Sequence, residues 1–177
     1  VSKILQNEKI KSISFVGSTP VAKHIYEESS KFGKRVQALG GAKNHLIVMP
    51  DANINQAVDG IIGAAFGSAG ERCMAVSVAV AVGDIAEDLV NNINIKAQTL
   101  KVAPWTDESS DMGPVISSEH KNKIENYIDI GISEGAEIIL DGRNCKIQGY
   151  ENGYFVGPTI FDNVTSDMKI YKNEIFG

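Results

Sequence analysis

The sequence predicts an α/β fold with a largely parallel sheet, and three observations carry that prediction. Short β-prone runs alternate with segments of helical length along most of the chain. Between the runs, apolar residues recur at helical spacing. Two of the runs, Leu46 to Met49 and Val76 to Val82, are apolar enough to be interior strands of a sheet covered by helices. Hydrophobic residues make up 43% of the 177, so a sizeable core is available to such layers.

Residues 1 to 9 read as the tail of a helix. Lys11 to Val16 alternates as a strand and runs into Gly17, Ser18 and Thr19, where Ser18 or Thr19 can cap a helix with Pro20 in its first turn. That helix reaches about Phe32, with Val21, Ile25 and Phe32 expected inside, and Gly33 ends it. A strand from Arg35 to Leu39 leads to Gly40 and Gly41, the expected hinge between two units. After the strand at Leu46, Pro50 and Asp51 break the chain and Asn53 caps a helix from Ile54 to about Phe66. Val58, Ile61, Ile62 and Ala65 give it an apolar face, and Gly60 and Gly63 suggest close packing. Asp84 is the expected cap of a helix from Ile85 to Leu100. A long polar connection through Pro104, Trp105 and Pro114 has the character of a functional loop or a surface excursion. Ser117 or Ser118 opens a helix with Ile124, Ile128 and Ile132 inside. Ala136 to Leu140 is a strand, and Tyr154 to Phe161 a further extended piece.

Composition excludes several classes of function. Seventeen basic against 22 acidic residues leave a net charge of −5, without the clustered basic face that a nucleic-acid partner requires. No apolar run is long enough to span a membrane, and the first residues lack a signal-peptide core. The two cysteines, Cys73 and Cys145, have neither close pairing nor metal-type spacing, so no metal site and no disulfide framework are expected. A reducing compartment, cytoplasmic or mitochondrial matrix, fits better than secretion. The start at Val1 and the end at Gly177 both read as cuts through a longer chain.

The residue with the most evident covalent chemistry is Cys73, in the stretch Phe66 to Ser77 (FGSAGERCMAVS). Gly67 and Gly70 break the preceding helix and a strand resumes at Val76, a junction that can present a thiol to solvent. A helix N-terminus or the neighbouring Arg72 would favour the nucleophilic thiolate. Packing as an inert apolar residue is the other reading. Gly17 to Thr19 is a candidate anion site at a helix start, or an ordinary turn and cap. It lacks both the glycine spacing of a dinucleotide fingerprint and the lysine of a phosphate-binding loop. His24, His45 and His120 form no metal or triad pattern and read as core, helix-surface or loop residues. Glu71 and Arg72 read as a local ion pair, or Arg72 as a partner of an anionic substrate or of the thiolate.

Six blocks taken together resemble the NAD(P)-dependent aldehyde dehydrogenase superfamily: FVGST at 15, GAKNHLIVMPDAN at 41, AAFGSAGERCMAVS at 64, DMGPVIS at 111, GYENGYFVGPTI at 149 and EIFG at 174. Within it the resemblance is to the CoA-acylating branch that oxidises malonate and methylmalonate semialdehydes. It covers essentially the whole chain, but only about the middle to late third of a family subunit. It implies an aldehyde dehydrogenase-like fold in which residues 1–40 end a Rossmann-like NAD-binding domain. Residues 41–177 would supply most of a twisted-sheet catalytic domain. Cys73 would be the nucleophile, its backbone amide aiding the oxyanion. Gly17 and Ser18 would meet the cofactor pyrophosphate, Glu174 the nicotinamide ribose and Phe176 the nicotinamide ring. The implied cofactor is NAD, with a semialdehyde and coenzyme A as small-molecule partners and a homodimeric or homotetrameric parent. The 177-residue segment by itself is expected to be inactive.

One departure is informative. Hydrolytic members carry a glutamate general base 34 positions before the cysteine, and this chain has Leu39 there, in LGGAK. A leucine cannot activate water, so a thioester on Cys73 would persist for coenzyme A. The acylating relatives carry asparagine in an NMGAK block, so Leu39 departs from them as well, and Ala22 replaces a second glycine of the cofactor turn. Two rivals stand beside this reading. One is a hydrolytic enzyme using Glu71 or Glu174 as base; the other is a noncatalytic scaffold in which Cys73 is buried.

Overall fold

The computed structural model describes all of residues 1–177, in two compact units, Val1–Ala42 and Lys43–Gly177. In the first, strands β1 (Ser12–Val16) and β2 (Arg35–Leu39) run parallel, with Ile13 opposite Val36 and Phe15 opposite Ala38. The chain passes between them through helix α2 (Thr19–Lys31), and the short helix α1 (Ser2–Gln6) adds the buried Leu5. Lys34 anchors the turn before β2 by donating to the carbonyls of Asn7 and Ile10 at 2.5 and 2.6 Å. The buried stripe of α2 is Ala22, Ile25 and Ser29, while the expected Val21 and Phe32 are 45% and 48% exposed. The small side chains of Ala22 and Ser29 let the helix lie close to the strand pair. Phe32 falls beyond the last helical residue.

The second unit repeats the strand–helix–strand pattern. Strand β3 (Asn44–Val48) pairs in parallel with β4 (Val76–Ala81), and helix α3 (Ile54–Phe66) lies between them in sequence. Helix α4 (Ala86–Gln98) packs on α3 through Val58, Ile61, Ile62, Leu89, Ile93 and Ala97, all buried with Val48. Asn53 caps α3 by accepting from the Gln56 amide at 3.1 Å. Gly60 and Gly63 mediate no close approach, since a side-chain carbon at either would meet nothing within 4 Å. At α4 the N-cap is Ile85 and not Asp84; Glu87 and Asp88 in the first turn meet the positive end of the helix instead.

Helix α5 (Ser118–Ser133) is capped by Ser117, which accepts from the His120 amide at 3.2 Å. It buries Ile124, Ile128 and Gly131 and leaves Ile132 41% exposed, because Ile170 and Phe161 pack onto the bare backbone of Gly131. The remaining strands, β5 (Glu137–Leu140) and β6 (Ile160–Asp162), form a separate antiparallel pair. Parallel pairing therefore holds for β1–β2 and β3–β4 only. The short helix α6 (Lys169–Lys172) precedes the C-terminal residues. The polar connection after α4 is a closed loop. Lys101 and Asp111 bond across its base, Lys101 Nζ pairs with Asp107 at 2.7 Å, and Met112 and Val115 are buried in the cluster around Ile124 and Ile128. No helix is long and apolar enough to cross a membrane.

Candidate active site

The cysteine stretch begins where α3 ends. Across Gly67–Gly70 three consecutive residues take left-handed backbone angles: Ser68 (φ 53°), Ala69 (φ 52°) and Gly70 (φ 75°). For an L-residue this conformation costs roughly 1–2 kcal/mol, so Ser68 and Ala69 are held against their preference. Ala69 is 3% exposed among Met112, Val115, Ile124, Ile128 and Val156, and that burial offsets the strain. Gly70 has a second reason to lack a side chain, since a Cβ there would stand 3.0 Å from the Gly177 carbonyl carbon. The turn throws the following residues clear of the core, and Cys73 is exposed. The expectation of a buried thiol is thus not what the chain adopts.

Cys73 is not at a helix N-terminus, and Arg72 does not reach toward it. The Arg72 guanidinium folds back and donates to the carbonyls of Gly63 (2.7 Å) and Gly67 (3.2 Å), closing the C-terminal end of α3. That use fits the chemistry, because the last carbonyls of a helix carry its negative end. Nor does Arg72 pair with Glu71. Glu71 Oε1 accepts from the Ile116 amide at 3.2 Å and lies 3.2 Å from His120 Nε2.

Three consecutive residues at the start of β3 stitch the site. Asn44 donates through Nδ2 to the carbonyls of Cys73 (2.8 Å) and Ala75 (2.9 Å). Lys43 donates to the Asn173 carbonyl at 2.9 Å. Partial burial pulls the Lys43 ammonium below the ordinary lysine range, an effect that the charge of Glu174 opposes. His45 Nδ1 lies 2.8 Å from the Lys43 carbonyl and so donates to it; its Nε2, 2.9 Å away, accepts from the Tyr171 hydroxyl. On the other side, Lys123 Nζ donates to the Ile175 carbonyl at 3.0 Å and His120 Nε2 to the Phe176 carbonyl at 2.6 Å. The His120 and Phe176 rings meet edge to face. Phe176 itself is left-handed, at φ 66°.

Cys73, Glu174 and Phe176 all belong to the second unit, with Glu174 half-buried and Phe176 39% exposed. Gly17 and Ser18 belong to the first unit, where they join β1 to α2. A side-chain carbon at Gly17 would fall 2.6 Å from the end of the Phe15 ring, which would have to shift to admit it. Ser18 is the N-cap of α2 with its hydroxyl unused as a cap, and the first turn carries no acidic residue. Thr19 Oγ1 accepts from the Gly41 amide at 2.9 Å. Leu39 is the last residue of β2 and 50% exposed. Asn44, His45 and His120 are the site residues that sequence patterns leave unassigned. Their signal is faint, residing in the polar triplet KNH beside an apolar strand and in a histidine on the first turn of α5. No group of three or more His, Cys, Asp or Glu residues is placed to hold a metal ion.

The model of the aldehyde dehydrogenase family matches residues 1–177. The malonate-semialdehyde dehydrogenase of Pseudomonas aeruginosa is 52% identical over 178 residues, covering 100% of this chain and 36% of its own length. A methylmalonate-semialdehyde dehydrogenase structure from Oceanimonas doudoroffii superposes with a TM-score of 0.94 at 54% identity, over 98% of this chain and 36% of its own. A structure from Sinorhizobium meliloti, assigned as methylmalonate-semialdehyde dehydrogenase and complexed with NAD, gives a TM-score of 0.95 at 52% identity over the same shares. The chain thus spans 36% of the length of these relatives.

Proposed function

The chain belongs to the aldehyde dehydrogenase family, and from that premise we propose that the whole protein oxidises malonate or methylmalonate semialdehyde with NAD and transfers the acyl group to coenzyme A. The observation that carries this reading is the exposed Cys73 thiol, presented by a strained turn whose carbonyl is fixed by Asn44. The Cys73 thiolate attacks the aldehyde carbon, forming a C–S bond and an oxyanion. The Cys73 amide makes no hydrogen bond within the chain and is free to donate to that oxygen. Bound NAD supplies the hydride acceptor that converts the adduct into a thioester.

The chain's own residues fit such a cofactor. The Gly17–Ser18 turn opens α2 with an unopposed positive end suited to a pyrophosphate. Glu174 and Phe176 stand in the unit that holds Cys73, as a ribose acceptor and a ring contact would. Residues 1–40 would then end the cofactor domain and residues 41–177 form most of the catalytic domain, a division supported by the two compact units. Deacylation distinguishes the acylating from the hydrolytic branch. Leu39 offers no base, Glu71 accepts from the Ile116 amide, and Glu174 faces the Lys43 ammonium. The coenzyme A thiol then attacks the thioester carbonyl and expels the Cys73 thiolate. Loss of the substrate carboxylate as carbon dioxide leaves the electron pair of the broken C–C bond on the neighbouring carbon, which takes up a proton to give acetyl-CoA or propionyl-CoA. The whole protein is read as a cytoplasmic or matrix homodimer or homotetramer.

Alkylation of Cys73 tests the assignment. Iodoacetamide is expected to label Cys73 in the whole protein with loss of activity, slowed by the semialdehyde, and Cys73→Ser to be inactive. Full activity of Cys73→Ser would overturn it.

A further inference from the structure

We infer that Asn44 is a positioning residue for the Cys73 thiol, a role that rests on the reading of Cys73 as nucleophile. A carboxamide NH2 has two N–H bonds, and Asn44 spends both on one short segment, the carbonyls of Cys73 at 2.8 Å and Ala75 at 2.9 Å. The location explains why a side chain is used. The β3–β4 ladder starts at Asn44 opposite Val76, and its register shifts between Asn44 and His45, where β4 inserts one extra residue. Backbone pairing begins only at Val76, and the turn from Glu71 to Ala75 lies beyond it. The Asn44 side chain extends the ladder past its end and ties that turn to the rigid strand.

The other supports of the turn bond the residues around Cys73. Arg72 holds the carbonyls of Gly63 and Gly67, the Glu71 amide donates to Ser68, and the Ala75 amide donates to the Arg72 carbonyl at 3.0 Å. Asn44 is the side chain that bonds Cys73 itself. The residue is otherwise exposed and follows three left-handed positions that pull the backbone from its preferred angles. Without Asn44 the Cys73–Met74 peptide can rotate, and the thiol samples directions that do not point at the aldehyde. A misplacement of about 1 Å at a reacting group costs on the order of 100-fold in rate.

The test uses Asn44→Ala and Asn44→Asp in the whole protein, beside Cys73→Ser. Aspartate keeps the shape of asparagine but replaces both donors with acceptors facing two carbonyls, so it remains informative if the alanine variant fails to fold. Both variants are expected to lose 10- to 100-fold in kcat, aspartate the more, with the KM for NAD and the melting temperature little changed. The Cys73 alkylation rate should change in parallel with kcat. A kcat within twofold of the parent in both variants, while Cys73→Ser is inactive, overturns the inference and leaves the function intact. A kcat loss that tracks a fall in melting temperature or a rise in the KM for NAD overturns it equally, by reducing Asn44 to a structural role. Activity surviving in Cys73→Ser contradicts the function itself.

Discussion

The two ends of helix α3 solve opposite problems. Its N-terminal end and middle follow local rules: Asn53 caps it, and Val58, Ile61 and Ile62 turn a regular apolar face onto α4. Its C-terminal end breaks those rules, passing through three left-handed residues to an exposed thiol. That end is held by bonds from residues remote in sequence, Asn44 to Cys73 and the Ile116 amide to Glu71, and by Arg72 folding back on the helix. One end accumulates stability and the other spends some of it to expose a thiol.

The contrast is broken most strongly from the core side. Leu89→Ala, at a position 2% exposed, is expected to cost about 2–5 kcal/mol in urea denaturation while leaving the Cys73 alkylation rate of the folded protein within twofold. Ser68→Val places a β-branched side chain at φ 53° and is expected to cost about 1–2 kcal/mol and to change that alkylation rate. Asn53→Ala removes the cap and should cost about 1 kcal/mol, again with no effect on the thiol. Ser68→Gly works in the opposite direction. It relieves the left-handed strain at an exposed site and should stabilise by about 0.5 kcal/mol, net of the flexibility that glycine adds to the unfolded chain.

The smallest expected effect is a function of pH. Hydrogen bonds from Lys101 and Ser109 hold the Asp107 carboxyl at about 2, below its ordinary 3.8. A carboxylate depressed on folding stabilises the native state at pH values above its unfolded pKa. That contribution is complete above about pH 5 and fades as the pH falls through 3.8 toward 2. Asp107→Asn should therefore lower stability slightly at pH 6 and match the parent near pH 2; screening by the solvent that reaches this pair keeps the difference small.

What the sequence makes legible follows the same division. The cap at Asn53, the apolar face of α3, the alternation of β1 and the glycine break before Cys73 are local signals, and the structure reproduces them. The left-handed state of Ser68 and Ala69 is not legible, because neither is glycine and the burial of Ala69 by α5 decides the conformation. The Asn44 contact to Cys73 spans 29 positions and the His45 contact to Tyr171 spans 126, so no periodicity reports them. Helix α6, of four residues, is too short for any pattern to emerge, and of the extended stretch expected from Tyr154 to Phe161 only its end pairs, in β6. Arg72 misleads, since its place beside the cysteine suggests thiolate support while helix carbonyls within hydrogen-bond reach take the guanidinium.

The most direct test of the central claim is to follow NADH formation by the whole protein with malonate semialdehyde, with and without coenzyme A, while identifying the product by mass. Turnover that depends on coenzyme A and yields acetyl-CoA, with propionyl-CoA from the methylated substrate, is the predicted result. Rapid release of the free acid without coenzyme A would contradict the account, placing water activation at Glu71 or Glu174.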